Sequence, residues 1–272
     1  MLTVRGKTSI IVGICFFVGE RVVGMRRERD YHDPIAVTRD IFWTGFYDEV
    51  TKFHCNPYIL IDDQDVVLFD PGSIPDFPEI MRKVIDVIQP HEITYVVAHH
   101  QDPDVCGNLA VTEDVIDRSE LKIVAHGNTV RLINHLGLTS EFYHVDKHDH
   151  KLTLKSGRQL EFMYTPYLHS PGAMVTYDVK TKTLFSSDIF GGVSAEWSLF
   201  AGDWDYLEGM KAFHQVYMPS NAILKPALEK MQSRWEIDRI LPQHGCVLEG
   251  EHINIAFDFL KQLPCGVDLD ES

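Results

Sequence analysis

The sequence predicts an α/β fold in which helices cover the outer faces of packed β-sheets. Three observations predict it: short apolar runs typical of buried strands, segments with helical spacing between them, and recurrence of this alternation in two broadly similar halves. No repeat, low-complexity tract or linker follows residue 31, so we expect one domain over residues 31–272. Residues 1–30 are expected to form an N-terminal extension of uncertain structure. A hydrophobic fraction of 44% over 272 residues is enough for a substantial core.

The first half of the chain predicts a hairpin followed by a helix and further strands. Residues 57–62 and 66–69 are β-rich runs on either side of a polar turn. Apolar residues then recur at helical spacing over 77–88. Residues 93–98 are apolar, aromatic or β-branched, as in a strand buried on both faces, and 121–125 repeat that pattern before another helical segment.

The second half predicts shorter strands and then two helices. Short strands are expected at 152–154, 159–164, 173–178, 184–187 and 239–241. The helices are expected at 206–217 and 227–231, before the last of these strands.

Charge and cysteine usage exclude several classes of function. The chain has 25 Lys and Arg against 40 Asp and Glu, a net charge of −15, which disfavours contact with nucleic acid. Its five cysteines are scattered without a C-x-x-C pair, which favours a reduced, cytoplasmic protein. The apolar run at 10–19 is shorter than the roughly 20 residues that span a bilayer, so no membrane segment is expected. That run also fits a signal peptide, but no small-residue cleavage site follows it.

Candidate metal ligands follow the predicted strands at four places. In layered α/β folds, loops at strand ends gather ligands, so these four loops are expected to converge. Side chains of His and Asp are common donors to a dinuclear metal centre. The six candidate ligands are His100, Asp102, Asp104, His169, Asp188 and His244. An alternative interpretation of Asp102-Pro-Asp104 is a capped turn that starts a helix.

Other polar side chains near these loops are given supporting or structural roles. Asp70, at the end of the first hairpin, is a candidate to orient a ligand imidazole. His99 is expected to point away from His100 and to pack. Cys106 and Cys246 adjoin the candidate ligands, but no Cys/His/acid order supports either as a nucleophile, and both are expected to pack.

The same residues resemble the metallo-β-lactamase fold, and more narrowly the di-iron domain of flavodiiron proteins and of stand-alone oxygen-binding di-iron proteins. The resemblance covers about residues 31–260 and implies a four-layer αββα sandwich. It also implies one iron held by His100, Asp102 and His169, another by Asp104 and His244, and a bridge through Asp188. The matching segments are His100-x-Asp102-x-Asp104-Val-Cys-Gly107, Leu168-His169-Ser-Pro-Gly, Leu184-Phe-Ser-Ser-Asp188, Leu241-Pro-Gln-His244-Gly245, Trp43-Thr-Gly-Phe-Tyr-Asp48 and Asp203-Trp204.

Two positions depart from the family pattern. Asp102 stands where the family usually has Glu, and Val105 stands where it commonly has His. Val105 would therefore leave an open coordination position at the second metal. Three carboxylates among six ligands favour iron, with zinc or manganese as alternatives.

The resemblance also shapes the functional expectation. Full reduction of dioxygen takes four electrons and a di-iron pair supplies two, so turnover needs a donor. The chain ends at Ser272 without the flavodoxin-like domain of flavodiiron proteins, so no FMN is expected in this chain. We therefore expect a di-iron protein that binds dioxygen or nitric oxide as a sensor, or as the oxygen-reducing half of a two-component reductase.

The partner of such a centre would be a separate electron-donor or signalling protein, and a homodimer is a weaker expectation. The sequence identifies no catalytic residue beyond the metal ligands and leaves that question open. The alternatives are a dinuclear hydrolase of esters, thioesters or phosphodiesters, and a metal-free scaffold that binds proteins.

Overall fold

The computed structural model describes residues 30–46, 53–194, 197–202 and 206–269, and the chain from Tyr31 onward forms one compact unit. The extension expected over 1–30 lies outside the described residues apart from Asp30, so that domain boundary stays a prediction. The end of one matched segment, 47–48, and the whole of another, 203–204, also lie outside them.

The first sheet has seven described strands in sequential order, built from the first half of the chain. The first four strands pair in antiparallel fashion. The fourth strand also begins a parallel set that runs to the seventh, and helices lie in the connections of this parallel set. The strands are β1 (Ile35–Ala36), β2 (Ile41–Trp43), β3 (Tyr58–Asp62), β4 (Asp65–Phe69), β5 (Ile93–Val97), β6 (Lys122–Ala125) and β7 (Glu141–His144). The helices are α1 (Phe77–Val87), α2 (Pro103–Cys106), α3 (Leu109–Ile116) and α4 (Gly127–Ile133).

The second sheet has six described strands, in the order β13-β12-β11-β10-β9-β8. They are β8 (Lys151–Thr153), β9 (Gln159–Tyr164), β10 (Met174–Asp178), β11 (Thr183–Ser187), β12 (Arg239–Pro242) and β13 (Leu248–Glu249). Only β11 and β12 pair in parallel fashion. The helices of this half are α5 (Tyr206–Tyr217), α6 (Asn221–Arg234) and α7 (Glu251–Leu260).

Three apolar clusters separate four layers. Between the sheets, Phe69 of the first stacks on Phe185 of the second at a ring-centroid distance of 3.9 Å. Ile80 of α1 packs on the outer face of the first sheet, and Leu228 of α6 and Phe257 of α7 pack on the outer face of the second. Removing these apolar surfaces from water is the main force that holds the layers together. The fold is the expected metallo-β-lactamase-like αββα sandwich.

The strands and helices predicted from periodicity are confirmed, with ends that differ by a few residues. The sequence analysis did not predict β1, β2, β7 and β13, which have two to four residues each and are too short to show a clear alternation. It made no prediction for the helices α2, α3 and α7. It also found only part of α6, because Pro226 lies inside that helix and interrupts the pattern.

A buried ion cluster holds the end of the sandwich opposite the ligand-bearing loops. The Arg158 guanidinium donates Nε to Asp178 Oδ1 at 2.8 Å and Nη2 to Asp178 Oδ2 at 2.5 Å, and its Nη1 lies 2.5 Å from Asp40 Oδ2. Asp62 Oδ1 lies 3.5 Å from the same Nη1. Burial alone would lower the pKa of Arg158, but the carboxylates outweigh it and raise the pKa. Arg158 therefore stays charged and joins both sheets.

Candidate metal centre

The ligand-bearing loops meet at one edge of the sandwich. His100 follows β5, Asp188 follows β11 and His244 follows β12. His169 lies in the loop between β9 and β10, and β9 runs antiparallel to β10, which runs antiparallel to β11. The carboxyl ends of β9, β11 and β12 therefore lie at the same edge of the second sheet, and the contacts below join them to the loop after β5.

The loop after β5 places two carboxylates at the start of α2. Asp102 is the N-terminal capping residue in extended conformation, Pro103 fixes the first helical position, and Asp104 follows in the first turn. The Asp102 side chain makes no capping hydrogen bond to the helix. The segment thus starts a helix, as the alternative interpretation expects, but the Asp102 carboxylate does not cap that helix and lies 3.1 Å from His169 Nε2 instead.

The first group of ligand atoms surrounds one oxygen of Asp188. Asp188 Oδ2 lies 3.1 Å from His100 Nε2 and 2.9 Å from His169 Nε2. His169 Nε2 is also 3.1 Å from Asp102 Oδ2. The resemblance implies the same residues around the first iron, namely His100, Asp102 and His169 with Asp188 as the bridge.

The second group lies on the other side of the same carboxylate. His244 Nε2 is 3.5 Å from Asp188 Oδ1 and 3.1 Å from Asp104 Oδ2. Ligand atoms of Cys55, Asp104 and His244 all lie within 4.8 Å of one another. The structure thus brings all six predicted residues together and adds Cys55, which the sequence analysis did not consider.

The charges of the carboxylates dominate the titration of these histidines. Burial alone would lower the pKa of His100, but the Asp188 carboxylate outweighs it and holds the pKa well above its usual range. The pKa of His244 is raised in the same way against its burial, with Asp104 as the largest contributor. Burial also opposes the shift at His169, where hydrogen bonds to Asp102 and Asp188 raise the pKa to about 9. The centre thus favours positive charge.

Two buried atoms of the centre are unsatisfied. His100 Nε2 and Asp188 Oδ1 have no hydrogen-bond partner among the described residues, although both side chains are buried. Such atoms are rare in a folded protein unless another group satisfies them. Imidazole nitrogens and carboxylate oxygens are donors that iron, zinc and manganese accept, so the residues present fit a dinuclear metal centre.

Neighbouring groups fix the ligand side chains. His244 Nδ1 is 2.7 Å from the carbonyl oxygen of His54 and donates to it, which leaves Nε2 free to bind a metal. Gln101 Nε2 donates to Asp102 Oδ1 at 2.7 Å, and the Gln101 amide oxygen accepts a hydrogen bond from Ser170. The loops of the first and second sheets are thereby tied together beside the centre.

Aromatic rings cover one side of the centre. Phe53 lies 4.1 Å and Phe213 5.3 Å from the His244 ring, between centroids, and Tyr217 lies 5.8 Å from the His169 ring. The side chains of Asp102 and Asp104 are 27% and 31% exposed and that of His169 is 22% exposed, whereas those of His100, Asp188 and His244 are almost fully buried. Solvent and small molecules therefore reach the centre from the side of these two carboxylates.

One expected supporting role is wrong. Asp70 does not orient a ligand imidazole, because its carboxylate accepts from the His99 backbone N–H at 3.0 Å and lies 2.6 Å from His99 Nδ1. The other ring nitrogen of His99 is 2.8 Å from Thr176 Oγ1, across the two sheets. His99 packs away from the centre, as expected, and Asp70 holds it there.

Val105 is fully buried in the apolar cluster between the first sheet and its helices. Because α2 presents position 105 to this cluster, a side chain there faces the core and not the metal centre. Valine supplies no nitrogen ligand at this position, but the thiol of Cys55 lies with Asp104 and His244 in the second group of ligand atoms. No local motif marks Cys55, so the sequence analysis missed it.

A comparison with known families decides the classification. The family described as "ODP family beta lactamase" matches residues 53–245, which is most of the chain. The chain belongs to this family. The matched range contains all six predicted ligands and Cys55.

Relatives of this ODP-family chain include di-iron proteins. The anaerobic nitric oxide reductase flavorubredoxin of Klebsiella pneumoniae is 27% identical over 247 residues, covering 84% of this chain and 50% of that protein. The chain thus spans about half the length of the curated relatives it matches. The solved structure "Peroxy diiron species of chemotaxis sensor ODP" is 26% identical with a TM-score of 0.72, covering 86% of this chain and 97% of that one. The flavodiiron protein of Giardia intestinalis, 24% identical, has a TM-score of 0.74 over 87% of this chain and 60% of its own.

Within the part of the chain that the structure describes, no helix is both long and apolar enough to cross a membrane.

Proposed function

We propose that the domain of residues 31–272 holds two iron ions and binds dioxygen or nitric oxide at these ions, on the side of the centre that faces the solvent. The observation that carries the proposal is the position of Asp188, whose two carboxylate oxygens face two separate groups of ligand atoms. A carboxylate so placed is suited to bridge two cations. The names of two relatives support this choice of ligand and metal. One relative is a nitric oxide reductase, and the other is a chemotaxis sensor described as a peroxy di-iron species.

The chain's own residues would set the conditions for this chemistry. A reduced iron pair supplies electrons and an open position for a diatomic ligand. The buried ligands His100, Asp188 and His244 and the aromatic rings exclude bulk water from one side, which strengthens electrostatic interactions there. The partly exposed carboxylates of Asp102 and Asp104 border the open side, where a small neutral gas enters without displacing a charged group.

The proposal includes two outputs. The centre acts as a sensor whose signalling partner reads its state, or as the oxygen-reducing half of a system in which a separate protein delivers electrons. We further propose a cytoplasmic location, because the cysteines are scattered and carry no disulfide pattern. The absence of FMN from this chain and a homodimeric assembly stay predictions.

The test is oxygen exposure of protein purified without air and loaded with iron(II). We expect about two irons per chain and a new visible absorption band on exposure, lost in His244→Ala because that variant removes a ligand of the second metal. His126→Ala is the matched control, since His126 stacks on Tyr164 at 4.0 Å and is not among the ligand groups. Two zinc ions and no optical change would contradict the proposal, and rapid ester or phosphodiester hydrolysis without a reductant would favour the hydrolase.

A further inference from the structure

We propose that Cys55 is an additional ligand of the second cation, alongside Asp104, His244 and the bridging Asp188. The proposal rests on the dinuclear centre proposed above and adds a sulfur donor to it. Cys55 is buried, and its Sγ lies within 4.8 Å of ligand atoms of both Asp104 and His244. The thiol also lies within hydrogen-bonding reach of the His244 ring.

An independent observation places an unsatisfied ligand atom on the same side. Asp188 Oδ1, which faces His244, is buried and has no hydrogen-bond partner among the described residues. A cation held between this oxygen, His244 and Asp104 would satisfy it. Cys55 has its ligand atom within 4.8 Å of ligand atoms of two of these residues, Asp104 and His244.

The backbone holds Cys55 at the centre from two directions. Its carbonyl oxygen accepts from the Phe46 N–H at 3.2 Å. The next residue, Asn56, donates its backbone N–H to the Gln243 carbonyl at 2.8 Å and its side-chain amide to the Gly245 carbonyl at 3.1 Å. Both flanks of His244 are thus bonded to the residue that follows Cys55, so the thiol and the imidazole keep a fixed relation.

The second cation has room for a further donor. Asp104, His244 and the shared Asp188 supply three, whereas metals of this type take four or more. Val105 contributes nothing because its side chain lies in the core. A thiolate at Cys55 would be a fourth ligand, with a position still open at an ion that takes more than four, and the thiol would lose its proton to solvent as the bond to the metal forms.

The other described cysteines near the ligands are placed differently. Cys106 Sγ lies 3.3 Å from the carbonyl oxygen of Asp102 and donates to it. Cys246 follows the His244 loop but is buried in the apolar cluster outside the second sheet. Neither belongs to the two groups of ligand atoms in the described structure. Cys246 is therefore a matched control for Cys55, because both are buried thiols close to His244.

The experiment is X-ray absorption at the zinc edge on the full-length protein loaded with zinc alone. Zinc avoids any change of oxidation state, and zinc–sulfur bonds at about 2.3 Å are resolved from bonds to nitrogen and oxygen at about 2.0–2.2 Å. We expect one sulfur neighbour for each pair of zinc ions in the wild type. This signal should be lost in Cys55→Ala and kept in Cys246→Ala. Zinc affinity at the site of Asp104 and His244 should fall roughly tenfold or more in Cys55→Ala and stay unchanged in Cys246→Ala.

The outcomes separate the two proposals. Two bound zinc ions without a sulfur neighbour, or a sulfur signal that persists in folded Cys55→Ala, would overturn the role of Cys55 and leave the dinuclear centre intact. Failure of the wild type to bind two zinc ions would overturn the centre itself. If Cys55→Ala does not fold, alkylation of Cys55 in the wild type with and without zinc, measured by peptide mass spectrometry, decides instead: slower alkylation with zinc bound is expected, and equal rates in the two forms would refute coordination, since burial alone protects both.

Discussion

Metal binding to this centre is predicted to strengthen with pH well above neutrality. A metal needs the free Nε2 of His169, whose pKa is raised to about 9 by the Asp102 and Asp188 carboxylates against the effect of burial. At pH 7 the protonated form then exceeds the neutral form by roughly 100-fold, which weakens metal binding by about 3 kcal/mol. His100 and His244, whose pKa values are also raised, add further protons to be displaced.

The sign follows from competition between the metal and protons for the same nitrogen. Apparent zinc affinity should rise at least tenfold per pH unit from pH 6 to pH 8, with at least one proton released per chain. A chromophoric chelator, corrected for its own titration, measures the affinity, and a weakly buffered indicator counts the protons. Imidazoles of ordinary pKa would instead give an affinity that levels off near pH 7, and that result would refute the reasoning. Asp102→Asn removes one of the carboxylates and should move the levelling point to lower pH.

Three further predictions concern residues around the centre and in the fold. Arg158→Met leaves buried carboxylates unpaired and should lower the free energy of unfolding by about 3–5 kcal/mol in urea titration, whereas Lys180→Met, at a side chain 57% exposed, should cost less than about 1 kcal/mol. Gln101→Ala frees the Asp102 carboxylate and should weaken zinc binding at the site of His100, Asp102 and His169 about tenfold, with little change in thermal stability; an unchanged dissociation constant would argue against this positioning role. Val105→His places an imidazole in the apolar core, so it should destabilise the fold by about 2 kcal/mol or more without adding a metal ligand; tighter zinc binding would show that position 105 reaches the centre.

Much of the site was predictable because it is built on strand ends. The strand over 93–98 and the short runs before Asp188 and His244 have clear apolar patterns, and polar residues directly after such strands collect at a sheet edge. The six predicted ligands therefore lie together in the structure. Their role as metal ligands is a proposal that the pattern and the geometry support.

Features that depend on pairing between distant segments were not predictable. Cys55 reaches the centre because Phe46 pairs with it and Asn56 bonds to the loop around His244, and no local periodicity reports such contacts. Asp70 was assigned to the wrong histidine for the same reason. The pattern places it near the centre, but the choice between His99 and a metal ligand depends on which side chain the parallel strands bring beside it.

The most direct test of the central claim is anomalous diffraction at the iron edge from crystals of the iron-loaded protein. The account predicts two peaks about 3.5–4 Å apart on either side of the Asp188 carboxylate, one near His100 and His169 and the other near His244. A single peak, or peaks remote from Asp188, would contradict it.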